Sequence, residues 1–402
     1  MNVFFTCFAR VVHFSTWLAT KFINFREPEV ISGEGKLLSI PEVLKSKGKQ
    51  KVLVVTDEGL WKLGIASPLL EALEKAGVGY ETYHSVVANP TVTNVNEGAE
   101  LFAKQKCDSI VAIGGGSAMD AAKIIGVKSR LPKREVNSFR GMFKVHKKMP
   151  FMIAVPTTAG TGSETTLAAV IVDKDKGDKY AVEDPKIIPA VAVLDPTLLV
   201  SLPKHITTTT GMDALTHAIE AFIGHENTRK TKRYAVDAIK LIFEYLEKSA
   251  NEPANLEYRV QMQIAAYKAG VAFTRAFVGT VHAVAHALGG KYNVPHGLAN
   301  AVILPIVLKE YGKSAHKKLA KIADLLGIGE GKNKHEKAAL LIAEIDKLNE
   351  KLGITNTFGN LIKDEDISFL VNHAYKEGAL VYPTPRILSK KELRKIIVGL
   401  KG

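Results

Sequence analysis

The first half of the chain alternates compact apolar runs with helix-spaced patterns. Lys51–Thr56, Tyr80–Val86, Ser109–Ile113, Phe151–Val155, Leu167–Asp173 and Ala190–Leu194 are β-rich runs of strand length. Between them, Leu60–Gly77, Asn94–Gln105 and Ala118–Gly126 carry the apolar spacing of helices. Strands that alternate with helices form a mostly parallel sheet flanked by those helices. After Pro203 the strand pattern stops. Thr209–Phe222, Lys230–Ala250, Leu256–Ala269, Gly279–Leu288 and several segments beyond Leu304 are all helix-periodic. The patterning predicts a helical N-terminal extension over 1–27, an α/β domain over 28–202 and an all-helical domain over 203–402. In open α/β sheets ligands bind beyond the carboxyl ends of the strands, so a site in the cleft between the two halves is expected.

Composition changes this picture little. The 402 residues are 46% hydrophobic and 24% charged, with only Cys7 and Cys107, so neither a disulfide framework nor a thiolate cluster organises the fold and a reducing cytoplasm fits. The net charge of +13 is spread along the chain. Its densest stretch, Lys128 to Lys148, contains no nucleic-acid-binding motif and reads as a solvated surface with Phe139 and Phe143 turned inward. The Phe-rich stretch from Met1 to Phe25 is interrupted by Arg10, His13, Thr16, Thr20 and Lys21. It is too broken for a membrane span and has neither the charged start nor the small-residue cleavage site of a signal peptide; it is expected to dock on the protein body or on a neighbouring subunit, with peripheral membrane contact the lesser alternative.

The chemistry lies in the helical half. Asp213 and His217 stand four residues apart in a helical pattern, as do His282 and His286, and a further imidazole follows in Pro295-His296-Gly297. Residues i and i+4 share a helix face. One carboxylate with two or three imidazoles is a ligand set for a divalent transition metal.

The nucleotide candidates lie in the α/β half. Gly114-Gly115-Gly116-Ser117 joins a buried strand directly to a helix, where glycines let a phosphate approach the backbone and the helix N-terminus offers unpaired amides. Ser117 can cap that helix or bind a phosphate oxygen. The next strand is followed by Pro156-Thr157-Thr158-Ala159-Gly160-Thr161-Gly162-Ser163-Glu164, whose hydroxyls suit ribose or pyrophosphate. Neither G-x-G-x-x-G nor G-x-x-x-x-G-K-[ST] occurs, so a dinucleotide fold here is a variant and an ATPase is disfavoured. Asp57 ends the first strong strand, where a carboxylate can bind ribose hydroxyls and repel a 2′-phosphate, or simply cap a turn.

Together, Gly114–Lys123, Pro156–Glu164, Asp213–Glu220, the His282-Ala-Val-Ala-His286 segment and Pro295–Asn300 resemble the iron-containing (group III) alcohol dehydrogenases, and the resemblance runs from about Phe25 to the end. It implies a dinucleotide-binding α/β domain, a helical metal-binding domain, and reversible hydride transfer between a primary alcohol or aldehyde and a nicotinamide. It implies that Asp213, His217, His282 and His296 hold the metal, Fe2+ ahead of Zn2+, and that His286 lies by the substrate as a proton carrier. It also implies cofactor contacts from Asn89 in Asn89-Pro90-Thr91 and from Lys179, beside Gly115, Gly116, Ser117, Thr157, Thr158 and Thr161. NAD is expected rather than NADP, with a small alcohol or aldehyde as substrate and a homodimer or higher oligomer as the assembly. A glycerol-dehydrogenase-like polyol enzyme or a dehydroquinate-synthase-like lyase is the alternative within the superfamily, and a non-catalytic nucleotide-binding protein the alternative outside it.

Overall fold

The computed structural model describes residues 8–13, 15, 23, 25–175 and 178–402. The chain divides into two compact units. One comprises Asn24–Leu202 with Pro253–Gly270, so it is not one continuous stretch. The other comprises Pro203–Glu252 and Val271–Gly402 together with Met1–Ile23.

The first unit is built on six strands. These are β1 (Glu29–Ser32), β2 (Lys51–Asp57), β3 (Gly79–Val86), β4 (Ser109–Gly114), β6 (Phe151–Pro156) and β9 (Val191–Leu194), in the order β1-β9-β6-β4-β2-β3. Every pairing in this sheet is parallel. The runs in β2, β4 and β6 are apolar without alternation because both faces are covered; all six residues of β4 are buried. Leu53, Ile110, Ala112, Met152 and Ala154 form the core with Ala121, Ala122 and Ile125 of the Gly116–Arg130 helix. The chain runs from β2 outward to β3 and then returns to β4 on the other side of β2, which is a topological switch point. Ligands of open α/β sheets bind at such points, beyond the carboxyl ends of the strands. Here those ends are Asp57 and Gly114.

A second, three-stranded sheet orders β5 (Gly141–Met142), β8 (Asp178–Glu183) and β7 (Ala168–Asp173). β7 and β8 pair antiparallel and alternate buried with half-exposed residues, which gives one wet face. Leu60–Gly77 is two helices, Glu58–Lys62 and Ser67–Lys75, separated by a turn through Gly64. Phe139 is fully buried, but Phe143 is 44% exposed, which corrects the expectation that both turn inward. Phe143 holds a left-handed φ of 58° just past the short β5, and its amide donates to the Glu183 carbonyl, so the backbone fixes this turn and the ring faces water.

The second unit is helical, and no described residue after β9 forms a strand. Its central helix, Lys204–Ile223, is buried on nearly all sides from Gly211 onward. Around it lie Arg229–Asn251, Thr280–Tyr292, His296–Tyr311, Lys313–Leu325, Lys334–Lys351, Ile367–Leu380 and Lys390–Gly399. One close approach matters for the site. A β-carbon on Gly297 would stand 2.4 Å from the Thr209 carbonyl oxygen, so only glycine lets the His296–Tyr311 helix start against the central helix. Near the N-terminus, residues 8–13 are helical; Ala9 packs on Ala379 and Ile387, and Arg10 donates to the Thr384 carbonyl at 3.1 Å. Phe8 and Val11 remain exposed. No single described helix is long and apolar enough to cross a membrane.

Candidate metal and cofactor sites

Three helices of the second unit bring one carboxylate and three imidazoles together. Asp213 and His217 project from one face of Lys204–Ile223, His282 comes from the first turn of Thr280–Tyr292, and His296 opens His296–Tyr311. One ligating atom from each lies within 4.8 Å of the others. Asp213 Oδ1 stands 4.0 Å from His217 Nε2, 3.9 Å from His282 Nε2 and 3.6 Å from His296 Nε2. Asp213, His217 and His282 are buried, while His296 is partly exposed. Burial, reinforced by the neighbouring His217, His296 and His286 rings, pushes the His282 pKa well below its ordinary value. A neutral imidazole keeps the lone pair that a cation needs. The donor set is that of a borderline transition metal, and these residues fit one.

The surroundings hold these side chains in place. Glu220, on the same helix as Asp213 and His217, puts Oε2 2.6 Å from His282 Nδ1. Its two oxygens also accept the Gly279 and Val281 amides, each at 2.8 Å. Burial pushes the Glu220 carboxyl up, and the backbone amides oppose it. With Nδ1–H donated to Glu220, His282 presents Nε2 toward Asp213, the carboxylate–histidine arrangement common at metal centres. The buried Asn300 donates through Nδ2 to Asp213 Oδ1 at 2.6 Å, with His282 Nε2 and His296 Nε2 each 3.1 Å from that nitrogen. His217 is stacked between Phe273 and His282, with ring centroids at 4.1 and 4.6 Å.

His286 stands one turn beyond His282, its ring stacked on His296 at 5.2 Å between centroids. Its Nδ1 is 2.7 Å from Glu377 Oε1, an oxygen that also accepts the Tyr382 hydroxyl at 2.5 Å. Burial alone would raise the Glu377 carboxyl, but the His286 charge and the two hydrogen bonds outweigh it and hold the group below the usual carboxylate range. The sequence reading missed Glu220, Asn300, Glu377 and Tyr382 as site residues. For Glu220 a signal existed, because it lies three residues after His217 and seven after Asp213 on one helix face. Glu377 had none, being 91 residues from its partner.

In the first unit the nucleotide candidates gather at the carboxyl ends of β2, β4 and β6. Asp57 caps the Glu58–Lys62 helix, its Oδ1 accepting the Leu60 amide at 2.9 Å. Its other oxygen would be 3.7 Å from a β-carbon on Gly114, so it borders the glycine loop. Gly115 is the N-cap of Gly116–Arg130 and supplies no side-chain cap. Gly116 faces Thr161 so closely that a β-carbon there would lie 3.0 Å from its methyl group, and Gly115 similarly faces Thr158 at 3.7 Å. Thr157 is buried, its amide donating to the Gly114 carbonyl at 3.1 Å. Ser117 does not cap the helix. Its Oγ accepts the Asn89 amide at 3.3 Å, while Asn89 Oδ1 accepts Lys179 Nζ at 2.7 Å. Behind this rim the fully buried Lys123 pins the threonine loop, donating to Ser163 Oγ at 2.9 Å and Thr166 Oγ1 at 2.8 Å. Burial lowers its pKa to about 8 against the pull of Asp120 and Glu164. All nine residues proposed for the cofactor thus border one strand-end rim or the loops beside it.

A variant parallel sheet with a glycine-rich turn at its switch point, in a chain that also carries a cluster of one aspartate and three histidines on helices, fits an enzyme that uses a nucleotide and a metal. Comparison with known proteins agrees. Residues 27–196 match "Iron-containing alcohol dehydrogenase", and residues 207–399 match "Fe-containing alcohol dehydrogenase family, C-terminal". The chain is 36% identical to the NAD-dependent methanol dehydrogenase of Bacillus methanolicus over 93% of its own length and 98% of that protein's. It is 35% identical to the lactaldehyde reductase of Escherichia coli (strain K12), over 85% and 90%. Among solved structures, a 1,3-propanediol oxidoreductase superposes with a TM-score of 0.89 at 34% identity, covering 94% of this chain and 99% of that one. The chain belongs to the iron-containing alcohol dehydrogenase family. It is a metal-dependent enzyme that interconverts an alcohol and an aldehyde with a nicotinamide cofactor.

Proposed function

We propose that this enzyme is an NAD(H)-preferring dehydrogenase of small primary alcohols, working by hydride transfer. Asp213, His217, His282 and His296 hold one divalent cation, Fe2+ ahead of Zn2+, and His286 carries the substrate proton. The observation that carries this reading is the convergence of four ligating atoms within 4.8 Å, with Glu220 Oε2 2.6 Å behind His282 Nδ1. Bound there, a cation would act as a Lewis acid toward the substrate oxygen while the nicotinamide carries the hydride. With Nδ1–H donated to Glu377, the basic lone pair of His286 is on Nε2, the atom that takes the alcohol proton in oxidation and returns it in reduction.

Asn89, Gly115, Gly116, Ser117, Thr157, Thr158, Thr161 and Lys179 form the dinucleotide rim, with the backbone amides at the start of Gly116–Arg130 toward the pyrophosphate. Asp57 stands at the adenosine ribose. Lys62, the nearest base in sequence, lies in the following helix in a solvent-exposed pair with Glu58 at 2.6 Å and softens the discrimination against a 2′-phosphate. A cytoplasmic homodimer or higher oligomer completes the proposal; the presence of only two cysteines supports the compartment.

The deciding experiment measures metal content and NADH oxidation on the same preparation, across a panel of short aldehydes and diol-derived aldehydes. Stoichiometric NADH consumption in proportion to bound metal is expected. Cofactor that is not consumed, as in a lyase that regenerates its NAD, would sink the proposal.

A further inference from the structure

The carboxylate behind His286 has a form of its own. Glu377 sits in the last turn of Ile367–Leu380, and this helix packs against Thr280–Tyr292 so closely that a β-carbon on Gly378 would lie 3.4 Å from that of Ala283. The approach brings Glu377 Oε1 to 2.7 Å from His286 Nδ1. The same oxygen accepts the Tyr382 hydroxyl at 2.5 Å, and His373 Nδ1 stands 3.9 Å from Oε2. A hydroxyl donor on the oxygen that faces the imidazole keeps the carboxylate from rotating away. His286 itself is half-exposed, whereas Glu377 is mostly covered.

We propose that Glu377, held by Tyr382, is the positioning residue for proton transfer by His286. It fixes the Nδ1–H tautomer, aims the ring, and stabilises the imidazolium. The proposal rests on the reading of His286 as proton carrier. In alcohol oxidation the O–H bond breaks and its proton passes to His286 Nε2, directly or through water. The C–H bond breaks with its electron pair, which leaves as hydride to NAD+. The carbonyl forms, and the imidazolium then releases its proton to solvent; reduction runs the same steps backward. A carboxylate on Nδ1 is the group that orients the base in the Ser-His-Asp arrangement, where it too stays ionised throughout.

Five variants test this: His286→Ala, Glu377→Gln, Glu377→Asp, Tyr382→Phe and the double variant Glu377→Gln/His286→Ala. Each is assayed for kcat, KM for NADH, metal content and thermal midpoint. The expected result is that Glu377→Gln lowers kcat about 100-fold, the low end for loss of acid–base assistance, with metal content and the NADH KM within twofold of the parent. Glu377→Asp should recover at least tenfold of that loss. The double variant should be no slower than His286→Ala, because the carboxylate acts only through the imidazole. Tyr382→Phe, a milder change, should lower kcat by a few-fold with the same non-additivity.

If His286→Ala is slow but Glu377→Gln turns over within threefold of the parent, the positioning role is overturned while His286 stands. Losses that add in the double variant, or that track lost metal, also overturn it by showing a structural role instead. If His286→Ala itself retains parental kcat, the proton-carrier reading fails first and this proposal falls with it.

Discussion

Asp57 serves two ends with two oxygens. One oxygen caps the Glu58–Lys62 helix and the other borders Gly114. Substitution by asparagine separates the two roles, since asparagine caps as well as aspartate but carries no charge. Asp57→Asn should therefore leave the thermal midpoint nearly unchanged and shift the NADH/NADPH ratio of kcat/KM toward NADPH by about tenfold, roughly 1.4 kcal/mol of relieved repulsion. Asp57→Gly should shift the ratio the same way while also weakening NADH. An unchanged ratio in both, from steady-state kinetics with each cofactor, would remove Asp57 from the ribose. At the metal cluster, His217→Ala and His282→Ala should each lose most bound metal and nearly all activity, because one of four ligands is gone. His286→Ala should retain metal, and equal metal loss in His286→Ala and His282→Ala would refute that division.

The residue scale was the most legible in the sequence. Asp213 with His217, and His282 with His286, announce themselves because helical spacing is local. Which imidazole stands out of the ligand cluster is decided by packing, so there the family resemblance had to supply the choice. Glu377 and Tyr382 were silent because their partner is reached through tertiary contact alone.

Helices and strands follow the same division. The doubly buried strands β2, β4 and β6 read directly as apolar runs, and the central helix as a long periodic one. β8 did not, because Lys179 and Glu183 on its wet face break the run, and β1 is four mostly exposed residues that gain their structure by pairing with β9. The Gly297 contact was equally invisible, yet it sets the position of His296, one of the four proposed ligands. Gly297→Ala forces a methyl group against the Thr209 carbonyl, a backbone atom that cannot swing aside. Overpacking of this kind typically costs about 1–3 kcal/mol. It should move His296 and weaken metal binding more than tenfold by calorimetry, with far-ultraviolet circular dichroism unchanged; parental affinity would show that the helix start tolerates the shift. The N-terminal helix contributes differently. Deleting residues 1–20 exposes Ala379 and Ile387 and should lower the thermal midpoint by a few degrees while NADH titration remains parental. Lost cofactor binding in a folded truncation would contradict this.

For the molecule as a whole, the proposed cation ties together three helices whose ligands span residues 213 to 296. Anything that binds only the folded state stabilises it by mass action, about 4 kcal/mol at a thousandfold excess over Kd. For a helical unit of this size that corresponds to roughly 10 °C in thermal midpoint. Chelation should therefore lower the midpoint by that order, and re-addition of Fe2+ or Zn2+ should restore it; a midpoint indifferent to chelator would separate the cluster from the metal.

The segment Pro253–Gly270 belongs to the sheet-bearing unit although it follows the central helix in sequence. Within that unit Gln263 donates to the Pro156 and Asp195 carbonyls, Tyr267 donates to the Pro28 carbonyl, and a β-carbon on Gly162 would stand 2.7 Å from Gly270 Cα. During synthesis, then, the first 202 residues emerge with part of their own interior still unwritten. At about 5–20 residues per second, several seconds separate the appearance of Leu202 from that of Gly270. Through that interval the nascent sheet leaves open the surface that Gln263 and Tyr267 will later cover. The order of translation thus makes completion of the sheet-bearing unit wait on the chain that also builds the helical unit.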